Sequence, residues 1–291
     1  MIISINGCKL FFDVYGAQLK INPNSVEEKP TLIVLHGGHG MFDHTIYVEF
    51  WSQFSDLTQV IFLDQRGCGR SDLRSAEEWN LTYWANDLYQ FCQILGIKKP
   101  ILAGVSMGGH VMCEYLSHHA DDLGGLIFCN TEARFILEDV CQKFTEIASP
   151  EIAELVRKQF TDPTPESAKD YQEKCVKYYA KNAYSPQEIK RGKQNVEVLS
   201  HFYKNHIHQF DYTAELKKIK CPTLLMIGAS SPLHLPIRAQ EMAEEIAPEL
   251  LTVHLFKDAG APVYKESPEE AEKTVRQFLT KQCLENKLQV I

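Results

Sequence analysis

Short apolar runs recur along the chain and alternate with amphipathic stretches. Residues 2–5, 10–14, 31–35, 59–63, 100–105, 124–129, 222–227 and 251–256 read as strands. The first two are joined by Asn6-Gly7, a dipeptide that supplies the two positive-φ positions of a tight hairpin. The later runs are apolar at nearly every position rather than at alternate ones, and helical patterns such as 83–95 and 238–246 separate them. Strands of that kind belong to a mostly parallel sheet covered by helices on both faces.

From about Glu132 to Leu216 the rhythm changes to charged, tyrosine-rich helical sequence with no convincing strand. Ser149-Pro150, Thr164-Pro165 and Ser185-Pro186 each place a capping residue before a proline at the first helical position, and Glu188 completes a capping box with Ser185. The pattern predicts a helical cap over 132–215 inserted into an α/β core made of 1–131 and 216–291. Residues 281–291 read as a helix end and a loose tail. No internal repeat or low-complexity segment interrupts the chain.

Composition narrows the function classes. Of 291 residues, 44% are apolar and 23% charged, which suits a globular protein with a sizeable core. A net charge of −8, with basic residues scattered rather than striped, argues against nucleic acid and anionic membrane partners. No apolar run approaches the ~18 residues of a membrane span. Residues 1–7 lack the cationic, apolar and small-residue regions of a signal peptide. Nine cysteines without a C-x-x-C pair, several inside apolar patterns, read as reduced core thiols of a cytoplasmic protein. The expected partner is a small-molecule substrate or ligand, and the oligomeric state is left open.

Three motifs fall at the ends of successive strands, where open α/β sheets place their ligands. Gly104-Val105-Ser106-Met107-Gly108-Gly109 follows an apolar run and precedes a helical stretch, the strand–turn–helix setting of a nucleophile elbow. Glycines two residues either side of Ser106 clear space around a strained turn. His36-Gly37-Gly38-His39-Gly40 lets the backbone approach a substrate, and the N–H groups of Gly38 and Met107 would together stabilise an oxyanion. Asp64-Gln65-Arg66-Gly67-Cys68-Gly69-Arg70-Ser71-Asp72 reads as a loop fixed by Arg–carboxylate pairs, with nothing in it resembling an acid–base dyad.

In that order the motifs resemble the α/β-hydrolase superfamily. His-Gly-Gly with Asp-Gln-Arg-Gly-Cys-Gly-Arg-Ser looks like the proline iminopeptidase-related group, and Gly-Val-Ser-Met-Gly-Gly is closer to esterase, lactonase and cofactor-free haloperoxidase-like members. The resemblance covers roughly 1–131 and 216–280 and implies an eight-stranded, mostly parallel sheet with a helical cap over the serine. His39 departs from the iminopeptidase pattern, which usually has proline there, and no cap carboxylates for a substrate amino terminus are identifiable.

The resemblance also implies an acid after the strand that follows the cap and a histidine after the last strand. The matching turns are Gly228-Ala229-Ser230-Ser231-Pro232 and Asp258-Ala259-Gly260-Ala261-Pro262. Ser231 stands at the acid position and Ala261 at the histidine position, so Ser106 lacks the base a serine nucleophile needs. His39, Glu132 and His234 are the further candidates for lining the pocket. Glu132 sits where some superfamily members carry an acid, yet no histidine is expected beside it. His110 reads as packing or capping locally, and His254 as structural. His206 and His208, two residues apart, do not share a helix face, so no metal site is expected, and no cofactor. Three readings follow: a serine hydrolase for a small ester, lactone, amide or N-terminal peptide bond, impaired in this chain; a non-hydrolytic ligand-binding protein; or a lyase-like or cofactor-free enzyme using the oxyanion hole.

Overall fold

A computed structural model describes residues 1–182 and 184–288, with side chains omitted at 186 and 283–288. The hairpin of β1 (Ile2–Ile5) and β2 (Cys8–Tyr15) closes through Asn6 and Gly7, at φ 48° and 71°. A second hairpin, β3 (Leu19–Asn22) with β4 (Ser25–Glu28), was not expected. It joins no other strand, and Ile21, opposite Val26, is 83% exposed. Each of its strands is four residues long, too short for periodicity to register.

The chain then enters the sheet with β5 (Thr31–Leu35), crosses through the short α1 (Val48–Trp51), and returns as β6 (Gln59–Leu63). Helix α2 (Leu81–Leu95) starts two residues earlier than its apolar pattern suggests, because Asn80 caps it by accepting the Tyr83 N–H. Next come β7 (Ile101–Val105), α3 (Met107–His119) and β8 (Gly125–Cys129). The helical cap follows: α4 (Leu137–Ile147), α5 (Pro150–Thr161), α6 (Pro165–Lys174), α7 (Pro186–Arg191) and α8 (Val196–Asn205). All three Ser/Thr-Pro starts cap as expected; Thr164 also forms a capping box, with Ser167 in the usual Glu place.

The core resumes with β9 (Thr223–Gly228), α9 (Pro236–Glu245), β10 (Leu251–Phe256), α10 (Val263–Glu266) and α11 (Pro268–Leu288). The last helix runs through Leu288, and the loose tail expected beyond it, 289–291, lies outside the described residues.

Eight strands form one sheet in the order β1-β2-β6-β5-β7-β8-β9-β10. Only β1–β2 and β2–β6 are antiparallel; every later pairing is parallel. Alternation along β5 shows why its run is continuously apolar. Leu32 and Val34 face a core shared with Trp51, Val275 and Phe278, whereas Ile33 and Leu35 face one shared with Trp84, Phe91 and Val111. A strand buried on both faces cannot afford polar positions. This arrangement aims the ends of β5, β7, β8 and β9 at the underside of the cap.

Candidate functional site

Ser106 links β7 to α3 with φ 51° and ψ −122°, a left-handed backbone that a non-glycine residue adopts only under constraint. Three bonds supply it. The Ser106 N–H donates to the Cys129 carbonyl (3.1 Å), and the Ser106 carbonyl accepts from the Gly109 N–H (2.8 Å) and Thr131 Oγ1 (2.7 Å). The loop after β5 presses on the same serine: a Cβ on Gly37 would stand 2.9 Å from Ser106 Cβ, so only glycine fits. The Gly37 N–H donates to Tyr47 Oη (3.0 Å). Among the described residues, neither the Gly38 N–H nor the Met107 N–H donates to a protein acceptor. Met107 is the first residue of α3, where an N–H has no intrahelical acceptor.

Ser231 is fully buried, and its Oγ accepts the His234 N–H at 3.1 Å. Ala261 donates its N–H to the Tyr179 carbonyl of the cap at 3.0 Å. Around it the cap is clasped to the core. The Glu266 carboxylate accepts the N–H groups of Lys181 and Asn182, Lys265 pairs with Glu188, and the Tyr184 and Tyr264 hydroxyls meet at 2.6 Å. Asn130, at the end of β8, holds the turn from below by donating to the Gly260 carbonyl (3.2 Å) and accepting from the Val263 N–H (2.8 Å). Among the described residues no side chain is hydrogen-bonded to Ser106 Oγ.

The expectation that no histidine would stand beside Glu132 is overturned. His110 Nε2 lies 2.9 Å from its Oε1, and His234 Nδ1 lies 2.5 Å from its Oε2, all three side chains being buried. His110 is therefore not a local cap, and His234 is turned toward the end of β8. These pairs span 22 and 102 residues, so no local pattern announces them. Burial alone would raise the Glu132 pKa, but the charge of His234 and the hydrogen bonds from both rings hold it down at about 2.

His39 is fully buried, packed against Trp84 with ring centroids 4.2 Å apart and planes tilted by 40°, and its Nε2 lies 2.7 Å from Gln65 Oε1. His254 pairs with Glu270 at the surface, and His208 bonds the Phe160 carbonyl.

In the loop after β6, Arg66 grips Asp87 through two nitrogens (2.9 and 2.8 Å) and also Glu78, while Arg70 reaches Asp43 at 3.0 Å. The segment does hold half of an imidazole–carboxylate pair, contrary to expectation: Asp64 Oδ1 meets His44 Nδ1 at 2.7 Å. Asp43, His44 and Asp64 bring three donor atoms within 4.8 Å of one another. Each is already hydrogen-bonded, to Arg70, Thr45, Lys193, Asp13 or one another. The cluster is a clamp between the loops, reaching the cap at the Lys193 N–H.

Burial lowers the pKa of His36 and takes that of His39 well below the ordinary 6.5. Both rings stay neutral in the fold, whereas the unfolded chain protonates them below 6.5. Stability should therefore fall as pH drops below about 6.5, with a slope approaching ~1.4 kcal/mol per pH unit for each ring. His44 acts in the other window. Burial opposes its charge, but the Asp64 bond and neighbouring carboxylates raise its pKa, so its contribution is complete below 6.5 and is lost as pH rises through the raised value. Urea midpoints from about pH 5 to 8 would test this; His39→Gln should flatten only the acid limb.

A family model described as alpha/beta hydrolase fold matches residues 30–268. The chain belongs to that family. Its relatives include the proline iminopeptidase of Lactobacillus helveticus, 26% identical over 279 residues that span 87% of this chain and 90% of that protein. A monoacylglycerol lipase of Bos taurus is 26% identical over 269 residues, 86% of this chain and 75% of the lipase. Among solved structures, Mycobacterium smegmatis proline iminopeptidase superposes with a TM-score of 0.79 at 21% identity, covering 98% of this chain and 99% of its own. The Burkholderia xenovorans enol-lactonase gives 0.69 at 20%, covering 96% and 100%. These two likenesses establish the fold alone. No helix among the described residues is long and apolar enough to cross a membrane.

Proposed function

We propose that this α/β-hydrolase binds small carbonyl compounds, an ester, lactone, amide or N-terminal peptide bond, at Ser106, and turns them over slowly. In this reading 132–215 forms the cap and 1–131 with 216–291 the core. The Gly38 and Met107 N–H groups receive the carbonyl oxygen. Ser231 and Ala261 occupy the seats of the triad acid and histidine. The observation that carries the reading is the unpartnered Ser106 Oγ. The imidazoles that could serve it are engaged elsewhere: His39 with Gln65, and His110 and His234 with Glu132. A serine hydroxyl without a base is a weak nucleophile, whereas the oxyanion donors and pocket keep ~10³-fold over water. The relatives named iminopeptidase, lipase and lactonase all act by attack on a carbonyl, which supports the substrate class.

The test is labelling by a fluorophosphonate. Ser106 should be modified slowly, at a rate rising smoothly with hydroxide from about pH 5 to 8, and Ser106→Ala should not be labelled. Fast labelling with an inflection near the histidine pKa of ~6.5 would show that an imidazole serves Ser106 and would overturn the reading.

A further inference from the structure

The last strand of the sheet has a side without a neighbour. β10 stands at one end of the strand order and pairs with β9 alone, in parallel and residue for residue from Leu251 to Phe256. The Thr223 N–H donates to the Leu250 carbonyl and the Ala229 N–H to the Phe256 carbonyl. Peptide groups alternate in direction along a strand, so the even-numbered residues of β10 serve β9. Leu251, Val253 and Leu255 turn theirs to the open side.

The side chains of these three form a stripe. Val253 and Leu255 stand beside Leu225 and Ile227 of β9, on the sheet face where α9 packs through Ala239 and Met242. That helix leaves the outer strand uncovered: Val253 is 48% and Leu255 45% exposed, and Leu251 is half-buried. Native edge strands are usually blunted by a charge, a proline or a bulge, because a bare edge templates pairing with another chain. Leu-Thr-Val-His-Leu-Phe contains no lysine, carboxylate or proline, and its pairing with β9 skips no residue.

The edge fits a copy of itself. An antiparallel pairing centred on Val253 sets Val253 against Val253, Leu251 against Leu255 and Thr252 against His254, apolar on one face and polar on the other. The same register sets Glu249 against Lys257, two exposed residues in the turns that flank β10. Neither has an ion-pair partner in its own chain among the described residues. Outward-facing residues must meet outward-facing ones, so the register can slip only in steps of two, and either first step sets Glu249 against Leu255 or Ala259.

We propose that two copies of this chain associate through β10, antiparallel about Val253, so that each eight-stranded sheet continues into its partner. Each Val253 N–H then donates to the Val253 carbonyl of the other copy, and each Leu255 N–H to the other copy's Leu251 carbonyl. The two apolar stripes meet on one face, and a Glu249–Lys257 pair closes each end.

Sedimentation of the unmodified chain from about 1 to 200 μM should show a dimer that grows with concentration. Hydrogen exchange at the Val253 and Leu255 amides should slow in step. Val253→Lys, which places a charge on the edge, should keep the chain monomeric. Glu249→Lys and Lys257→Glu should each weaken the dimer by about tenfold, because the two-fold repeats every cross-strand pair, and the double exchange should restore it.

A chain that stays monomeric throughout, or a dimer that survives Val253→Lys, overturns the proposal. So does a dimer that Val253→Lys abolishes but the charge exchanges leave unmoved, since apolar contact without this register would behave that way. Exchange in the unmodified chain decides even where a variant does not fold: equal rates at both ends of the concentration range put the contact elsewhere.

Discussion

Installing Ser231→Asp and Ala261→His in one chain is expected to raise the rate of Ser106 acylation by about 10³-fold. The gain should belong to the pair. A histidine at 261 can take the serine proton only in the correct tautomer and orientation, and a carboxylate on its far nitrogen sets both. Ser231→Asp alone adds no base and should leave the rate unchanged. Ala261→His alone should gain about tenfold.

The local structure favours the exchange at 231, where Oγ already accepts the His234 N–H. One aspartate oxygen can keep that bond while the other faces the new ring. Burying a carboxylate at this fully enclosed position should lower the stability of the single variant and be partly offset in the double. At 261 the backbone is held by the Tyr179 carbonyl, so the ring must enter beneath the clasp formed by the cap. The measurement is the p-nitrophenolate burst from a short-chain ester, with Ser106→Ala in the same background as the blank. A double variant that folds and acylates no faster than the unmodified chain would sink the assignment of the two seats.

How much of this could be read from residues alone follows the sequence separation of the contacts. The elbow is local: Gly104, Ser106 and Gly108 lie within five positions, and the strained φ of Ser106 is where the glycine spacing expects it. The inner strands β5, β7, β8 and β9 announce themselves because burial on both faces leaves their runs almost wholly apolar, whereas β1, β2 and β10 toward the edges keep exposed positions. The helix starts of the cap are equally legible, since a capping hydroxyl and the N–H that donates to it sit three residues apart.

The rest is tertiary. Glu132 gains its partners from α3 and from the loop after β9, which meet only because the order β7-β8-β9 brings their ends side by side. The bond from His44 to Asp64 joins the ends of two adjacent parallel strands in the same way. Polar side chains carry no periodicity that marks such meetings, and single residues give no hint of the separation they will close.

Replacing Glu132 with glutamine should cost about 3–5 kcal/mol, the scale for breaking a buried charged network by removing one member. The change is nearly isosteric, so packing is not the cause. The carboxylate accepts an imidazole N–H on each oxygen. An amide offers one oxygen and one NH₂, and so sets a donor against a donor on one side. One ring must then surrender its bond or change tautomer, which leaves a buried polar group unpaired. For a chain of this size the unfolding temperature should fall by roughly 10 °C.

The pH dependence separates this account from simple loss of contacts. The folded pKa of Glu132, about 2, lies below its ordinary 4.5. Its stabilisation is therefore complete above about 4.5 and fades as pH falls toward 2. The gap between the unmodified chain and Glu132→Gln should be widest near neutrality and should narrow only below that value. Glu270→Gln, which removes the half-exposed partner of His254, should produce a small fraction of the effect, because water already solvates both groups. Equal urea midpoints for Glu132→Gln and the unmodified chain at pH 7 would mean that the two histidines do not need the carboxylate.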